Sequence, residues 1–382
     1  MAYFDNAATT FPKPDCVYDF MNSFYRQCGG SAGRGTYELS LSAGQLIFET
    51  RSRLQKILHC HNKQIVFTPS ATLALNMILQ GLIVSGKIKT VYISPFEHNA
   101  VTRVLHHFEK AKKIEVRVLP VMGNLSYDFT QIENLFKTHK PDLLVATHVS
   151  NVIGLVQPVE MLCLLAKKFE AFTVVDMAQS AGLVELNVGL ETIDFGVFAG
   201  HKTLYGPTGV GGFAMNSGFD LPPILFGGTG VESACQDMPL DVPQSYEMGT
   251  INLVGVAGLY ASTGWILETG VDELWKREES HRKRLLDILT QYDFIKIVGT
   301  HEANRYGGIV SVVIDGLPSD TAASIFSKLN IALRSGLQCA PLAHKTLGTF
   351  PAGTVRFSTS YFTRDEEFGE LVRVMEWIRE NL

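Results

Sequence analysis

The chain has 382 residues, 46% of them hydrophobic, which is enough to bury one large core and a smaller one beside it. Charged residues make up 19% and the formal net charge is -5, with no basic stripe to neutralise phosphodiesters, so nucleic acid is not an expected partner. No apolar run is long enough to cross a bilayer, no signal-type leader opens the chain, and six dispersed cysteines form neither a disulfide scaffold nor a CxxC zinc pair; a soluble cytoplasmic protein without metal or membrane partner is expected.

From Gln64 to Met215, short β-branched runs alternate with longer helical patterns. QIVFT, KTVYIS, EVRVL, DLLVATH, FTVVD, IDFGVFA and VGGFAM read as strands of a largely parallel sheet in an α/β layer. After the first, Ala71, Leu75, Ile78, Leu79 and Leu82 recur at helical spacing, with Ser70 or Thr72 near the helix start. The Gly/Pro-rich stretch 222–243 reads as an exposed loop, long enough to suit an active-site or interface role. Beyond Thr250 come a long helical pattern through His281 to Leu289, strand IVSVVID, helix SDTAASIFSKL, strand TVRFSTS and a closing amphipathic helix. The expected division is a large domain, 15–255, and a small α+β domain, 256–382 with the segment 1–14. The sequence shows neither internal repeats nor low-complexity segments.

The strongest chemical signal is Phe195-Gly-Val-Phe-Ala-Gly-His-Lys-Thr-Leu-Tyr-Gly-Pro-Thr-Gly209, a strand running into a polar, glycine-punctuated loop that presents His201 and Lys202. A lysine there is placed to form an imine with an aldehyde cofactor. A phosphate-binding P-loop is the competing reading of Gly196, Gly200, Lys202 and Thr203, but its spacing is one residue short and His201 interrupts the Gly-Lys pair. The plain alternative is a solvated surface lysine.

Other residues converge on the same chemistry. Asp176 closes the apolar run Val174-Val-Asp at the strand end where open α/β sheets bind ligands, and can hold a protonated pyridine nitrogen. Read alone, it is as well explained as a helix N-cap. Gln179 lies three residues on. Pro69-Ser-Ala-Thr-Leu joins strand to helix, so free N–H groups near Ala71 and Thr72 make an anion site. His98, after Pro95 and Glu97, is placed to stack on an aromatic cofactor and move protons. Free cysteines are mostly buried small hydrophobes, but Cys339 follows a glycine-containing turn after IALR and precedes Ala340-Pro341, a loop context in which Arg334 and His344 are candidate cations for its thiolate.

Taken in order, Asp5-Asn-Ala-Ala-Thr-Thr10, Thr68-Pro-Ser-Ala-Thr72, Glu97-His98, His148-Val-Ser-Asn151, Val175-Asp-Met-Ala-Gln179, Gly200-His-Lys202, Glu247-Met-Gly-Thr250 and Arg334-Ser-Gly-Leu-Gln-Cys339-Ala resemble the class V aminotransferase fold, specifically cysteine desulfurases of the group-II branch. The resemblance spans nearly the whole chain. It implies an α/β fold, the type I fold of pyridoxal-phosphate (PLP) transferases, with a mainly parallel seven-stranded sheet and a smaller C-terminal α+β domain. It implies a cytoplasmic homodimer with pyridoxal 5'-phosphate as cofactor, L-cysteine as substrate, selenocysteine as a further candidate, and a sulfur-acceptor protein as partner.

Position by position, the resemblance implies Lys202 as the Schiff-base lysine, His98 stacked on the ring, Asp176 at the pyridine nitrogen and Gln179 at the phenolic oxygen. Asn151 would touch cofactor or substrate. Phosphate contacts would come from Ala71, Thr72, His201 and, across the dimer interface, Thr250. Arg356 would clamp the substrate carboxylate through two parallel hydrogen bonds, with Arg34 also near the substrate. Cys339 would take the sulfur as a persulfide. Three positions depart from the family pattern: Ala199 stands in place of a phosphate-binding serine, with Thr203 a candidate substitute, while Gly33 and Gln338 each replace a histidine near the substrate entrance. Other class V chemistries, such as selenocysteine lyase, cysteine or cystine β-lyase or aminotransferase, stay open alongside desulfuration, as does a non-catalytic scaffold.

Overall fold

In a computed structural model of the chain, residues 1–32, 35–216, 218–232 and 234–381 are described. The seven foreseen strands form one sheet: β2 (Lys63–Thr68), β3 (Thr90–Ile93), β4 (Glu115–Val118), β5 (Leu143–Thr147), β6 (Phe172–Asp176), β7 (Phe195–Ala199) and β8 (Gly211–Asn216), in the order β2-β8-β7-β6-β5-β3-β4. β8 runs antiparallel to both its neighbours and the remaining pairings are parallel. Strands β5 and β7 are buried along their whole length, which is why they read as unbroken apolar runs. Apolar cores cover both faces of the sheet: one contains Leu54, Ile65, Leu144, Val175 and Phe198, the other Val66, Leu79, Val91, Val145 and Phe213.

Ser70 is the N-cap of α3 (Ala71–Val84), its hydroxyl accepting from the Leu73 N–H at 3.2 Å. His98 caps α4 (Asn99–Lys110) in the same way. Gly211 lets β8 run against the start of α3, where a Cβ would meet the Ala71 nitrogen at 3.0 Å. Such junctions aim helix N-termini at the C-terminal edge of the sheet, where Asp176 and Ala199 also end their strands.

The C-terminal region adds a four-stranded antiparallel sheet, ordered β12 (Arg334–Gly336), β13 (Thr354–Ser358), β10 (Ile309–Ile314) and β9 (Ile295–Ile297), packed against α11 (Asp365–Asn381). The chain start joins it, since β1 (Ala2–Tyr3) pairs in parallel with β11 (Ile331–Ala332). Phe96, Val152, Ile153, Ala340 and Ala343 form a further apolar cluster that binds the Cys339 loop to the large sheet.

The long helical pattern after Thr250 is two helices, α7 (Leu253–Thr269) and α8 (Val271–Leu289), divided at Gly270, whose φ of 91° lies outside the range that favours side-chain-bearing residues. α7 packs on α1 (Asp15–Gln27) and α2 (Glu38–Ile57), so the boundary expected at 255/256 falls inside a helix that serves the large sheet's core. The described residues of 222–243 form neither helix nor strand and leave Phe226 and Leu240 exposed. Among the described residues, no helix is long and apolar enough to cross a membrane.

Candidate active site

A cavity of about 510 Å³ opens at the C-terminal edge of the sheet, lined by Ser70, Ala71, Thr72, His98, Asn151, Asp176, Gln179, Ala199, His201 and Lys202, with Leu75, Ala100, Thr147 and Ala178 completing the wall. Most of these residues come from a strand end, the turn that follows it or the first turn of the next helix. Lys202 sits in the turn after β7, and burial lowers its ammonium to about 8, an effect the Asp176 carboxylate opposes. Asp176 is itself buried; burial raises its pKa, while the Ala178 N–H bonded to Oδ1 at 2.9 Å and the Lys202 charge pull it down.

His98 accepts the Ala100 N–H on Nδ1 at 3.0 Å, which leaves the ring proton on Nε2. Burial first, then Lys202 and Arg103, lower it to about 4, so the ring is neutral at physiological pH. Burial also lowers His201 to about 4, and its Nδ1 is buried with no partner among the described residues. The His201 carbonyl accepts from Lys13 Nζ at 2.7 Å and from the Thr9 hydroxyl at 3.0 Å, so the N-terminal segment clamps the Lys202 turn from behind. Gln179 donates to the Ala7 carbonyl at 2.7 Å and keeps a second amide hydrogen for the cavity.

This donor set fits PLP. Free N–H groups at the start of α3, the Thr72 hydroxyl and the orphaned His201 Nδ1 suit a phosphate. The buried Asp176 suits a protonated ring nitrogen, which would supply a positive charge beside it once Lys202 is bonded to the cofactor. The flat, neutral imidazole of His98 suits a ring face.

Beyond His98 the cavity adjoins a groove of about 970 Å³ that shares Thr72, His98 and Ala100 with it and carries Cys339 in its wall. Cys339 is exposed, and both Gln338 and Cys339 hold left-handed backbone angles, φ 40° and 57°. Two such residues in succession are strained by about 1–3 kcal/mol each. Gln338, expected near the entrance, is buried: it donates to the Thr354 carbonyl at 3.0 Å, pairs with His344 Nε2 at 2.8 Å, and its carbonyl takes the Asn151 amide at 2.7 Å. It anchors the loop from below.

Two expectations are corrected. His344 is no cation for Cys339, because burial lowers it to about 4 and both ring nitrogens are taken by Gln338 and Thr349. Thr203 does not replace the missing serine hydroxyl at Ala199, because its own donates to the Ala181 carbonyl at 2.8 Å, away from the cavity. Thr250 is exposed and lies apart from the cavity that holds Lys202. Gly33 and Arg34 lie outside the described residues.

Arg356, on β13, is almost completely buried. Its Nη1 donates to the Asn151 carbonyl at 2.9 Å, its Nη2 to Asp5 Oδ1 at 2.7 Å, and its Nε has no partner among the described residues. Asp5 was visible in the opening motif but had no assigned task; its pairing with a residue 351 positions away leaves no local signal in the sequence.

The class V aminotransferase family model, described as "Aminotransferase class-V", matches residues 2–371. The chain belongs to the class V aminotransferase family, in its cysteine desulfurase branch. It is 32% identical over 387 aligned residues to a protein named "Probable cysteine desulfurase" from Pyrococcus abyssi, covering all of this chain and 94% of that one. A protein named "Cysteine desulfurase" from Haloferax volcanii is 28% identical, with 100% and 90% covered. Among solved structures, the apo cysteine desulfurase of Thermococcus onnurineus NA1 superposes with a TM-score of 0.91 at 30% identity, covering 100% of this chain and 95% of that one. The α/β architecture expected from the sequence is thus that of this branch of the class V aminotransferases, the type I fold of PLP enzymes.

Proposed function

We propose that this class V aminotransferase is a PLP-dependent cysteine desulfurase that converts L-cysteine to L-alanine and leaves the sulfur on Cys339 as a persulfide. The observation that carries it is the adjacency of a cavity lined by Lys202, Asp176 and His98 to a more open groove that presents Cys339. The relatives' names support the same activity.

Lys202, Asp176, His98 and Gln179 would hold the cofactor ring, and Ala71, Thr72 and His201 its phosphate. Bound there, PLP supplies an electron sink for the charge released when substrate bonds break. Lys202, with its ammonium near pH 8, can hold or release a proton at the substrate Cα within the physiological range. Asp176 supplies the fixed negative charge beside it. Arg356 would bind the substrate carboxylate from behind Asn151, which lines the cavity and whose carbonyl holds Nη1 of Arg356. Cys339 Sγ, as thiolate, forms the new S–S bond while the substrate Cβ–S bond breaks. The carbon then takes up a proton, so that L-cysteine and one thiol give L-alanine and one persulfide with no external oxidant. Neutral His98, with its proton on Nε2, is placed to relay protons between cavity and groove.

The exposed Thr250 lies outside its own chain's cavity and is best used in a homodimer, at the phosphate of the other copy. A sulfur acceptor would reach Cys339 through the open groove. To test the assignment, purified protein loaded with PLP is incubated with L-cysteine and a thiol reductant. Alanine and sulfide in equal amounts support desulfuration; pyruvate with ammonia would assign a β-lyase instead.

A further inference from the structure

The carboxylate of Asp5 stands between two guanidinium groups carried by different strands. Oδ1 accepts from Nη2 of buried Arg356 at 2.7 Å, and Oδ2 accepts from Nη2 and Nε of Arg334 at 3.1 and 3.3 Å. The backbone fixes this arrangement, because β1 pairs with β11 and Asp5 itself bridges Ser358 at the end of β13. Arg356 also gives Nη1 to the Asn151 carbonyl, so its fork is largely committed before any substrate arrives. Arg334 stands directly across β12 and β13 from Arg356. Without Asp5 the two cations would form a paired anion site, able to take an α-carboxylate and a second negative group together. With Asp5 in place one positive charge is cancelled inside the site.

We propose that Asp5 is a specificity-determining residue, a charge filter that restricts the site to amino acids with one carboxylate and turns away those whose side chain carries its own anion. This rests on Arg356 as the α-carboxylate site of the desulfurase reading. A fixed carboxylate bonded to the buried Arg356 guanidinium repels a second anion brought to that cation, whereas a thiol side chain meets no such penalty. Discrimination then comes from a built-in repulsion and needs no tighter grip on cysteine.

The test is calorimetric binding of L-alanine and L-aspartate to the PLP-loaded protein, which needs no turnover. In Asp5→Asn the affinity for aspartate relative to alanine should rise at least tenfold, and Asp5→Glu, which restores the charge, should keep the ratio near that of the unaltered protein. A merely structural Asp5 would weaken both ligands together and leave the ratio where it was. Arg334→Gln provides a second variant should Asp5→Asn fail to fold: Asp5 then keeps its charge with one cation fewer, so the relative affinity for aspartate should fall several-fold. A ratio unchanged in whichever of these variants folds overturns the filter. Alanine formation from L-cysteine by the unaltered protein is assayed separately, so an enzyme that makes no alanine sinks the desulfurase reading while the binding ratio still judges Asp5.

Discussion

The turn that carries Lys202 and the loop that carries Cys339 lie on either side of His98, yet they are built on opposite plans. The Lys202 turn is closed in: Asp176 faces it, β7 precedes it, and the segment from Thr9 to Lys13 is bonded to its His201 carbonyl. The Cys339 loop keeps its cysteine exposed on a strained backbone and hides its fastening, Gln338, underneath. Burial suits a group that must trade protons in a dry site, because desolvation brings a lysine toward neutral pH. Exposure suits a thiol that must first reach into the cavity and then pass its sulfur outward. One site therefore combines a rigid half and a deliverable half.

The largest expected effect lies in the rigid half. Lys202→Ala should abolish turnover of L-cysteine, with kcat down by about four orders of magnitude, while circular dichroism shows the fold retained. Turnover near the unaltered rate would remove Lys202 from the chemistry. Next is Arg356→Lys, which keeps the charge but loses the fork. KM for L-cysteine should rise about 10- to 100-fold with a smaller change in kcat, and a kcat effect alone would mean Arg356 serves only the fold.

Gln338→Leu probes the fastening of the deliverable half. It leaves the Thr354 carbonyl and His344 Nε2 without partners in a buried setting, which costs about 1–3 kcal/mol and should lower the melting temperature by a few degrees. If the loop depends on this anchor, kcat should fall more than KM rises; unaltered kinetics would mean Cys339 is positioned by its own backbone.

A pH dependence is shared by both halves. His98, His201 and His344 have folded-state values near 4, below the unfolded 6.5. These three groups therefore bind fewer protons in the folded protein than in the unfolded chain between pH 4 and 6.5, so their share of the stability rises with pH across that window and is lost as pH falls through it, while buried Glu97 and Glu278, raised to about 8, act with the opposite sign. Each group contributes on the order of 1 kcal/mol per pH unit there. Urea stabilities at pH 7 and pH 5 are compared between the unaltered protein and His344→Gln, in which the rise from pH 5 to pH 7 should be smaller by the share of His344; an unchanged difference would mean His344 is charged in the folded state.

The seven strands of the large sheet were legible because most are buried and write short continuous apolar runs, while the edge strand β4 alternates Val116 and Val118 with charged residues. β1, β9 and β12 were missed, since two or three residues carry no periodicity and form only when a distant partner supplies the ladder, whereas β11 lies in the run IALR that reads as a strand. The residues gathered around Lys202 were also legible, because the strand ends of a parallel sheet converge on one edge whatever the intervening sequence. Proximity along the chain misled at His344 and Thr203, where side-chain direction decides and sequence is silent. Arg334, Asp5 and Arg356 come together only through β1, β11, β12 and β13 pairing across the whole length of the chain.

The central claim is that Cys339 receives the sulfur prepared around Lys202, and its most direct measurement is a single turnover. The PLP-loaded protein is mixed with less than one equivalent of L-cysteine without reductant, alkylated, digested and weighed peptide by peptide. One added sulfur on the Cys339 peptide is expected, in step with the alanine formed. Cys339→Ala should still bind L-alanine but form neither persulfide nor product at a significant rate. Sulfur on another cysteine, or alanine released by Cys339→Ala at the unaltered rate, would contradict the account.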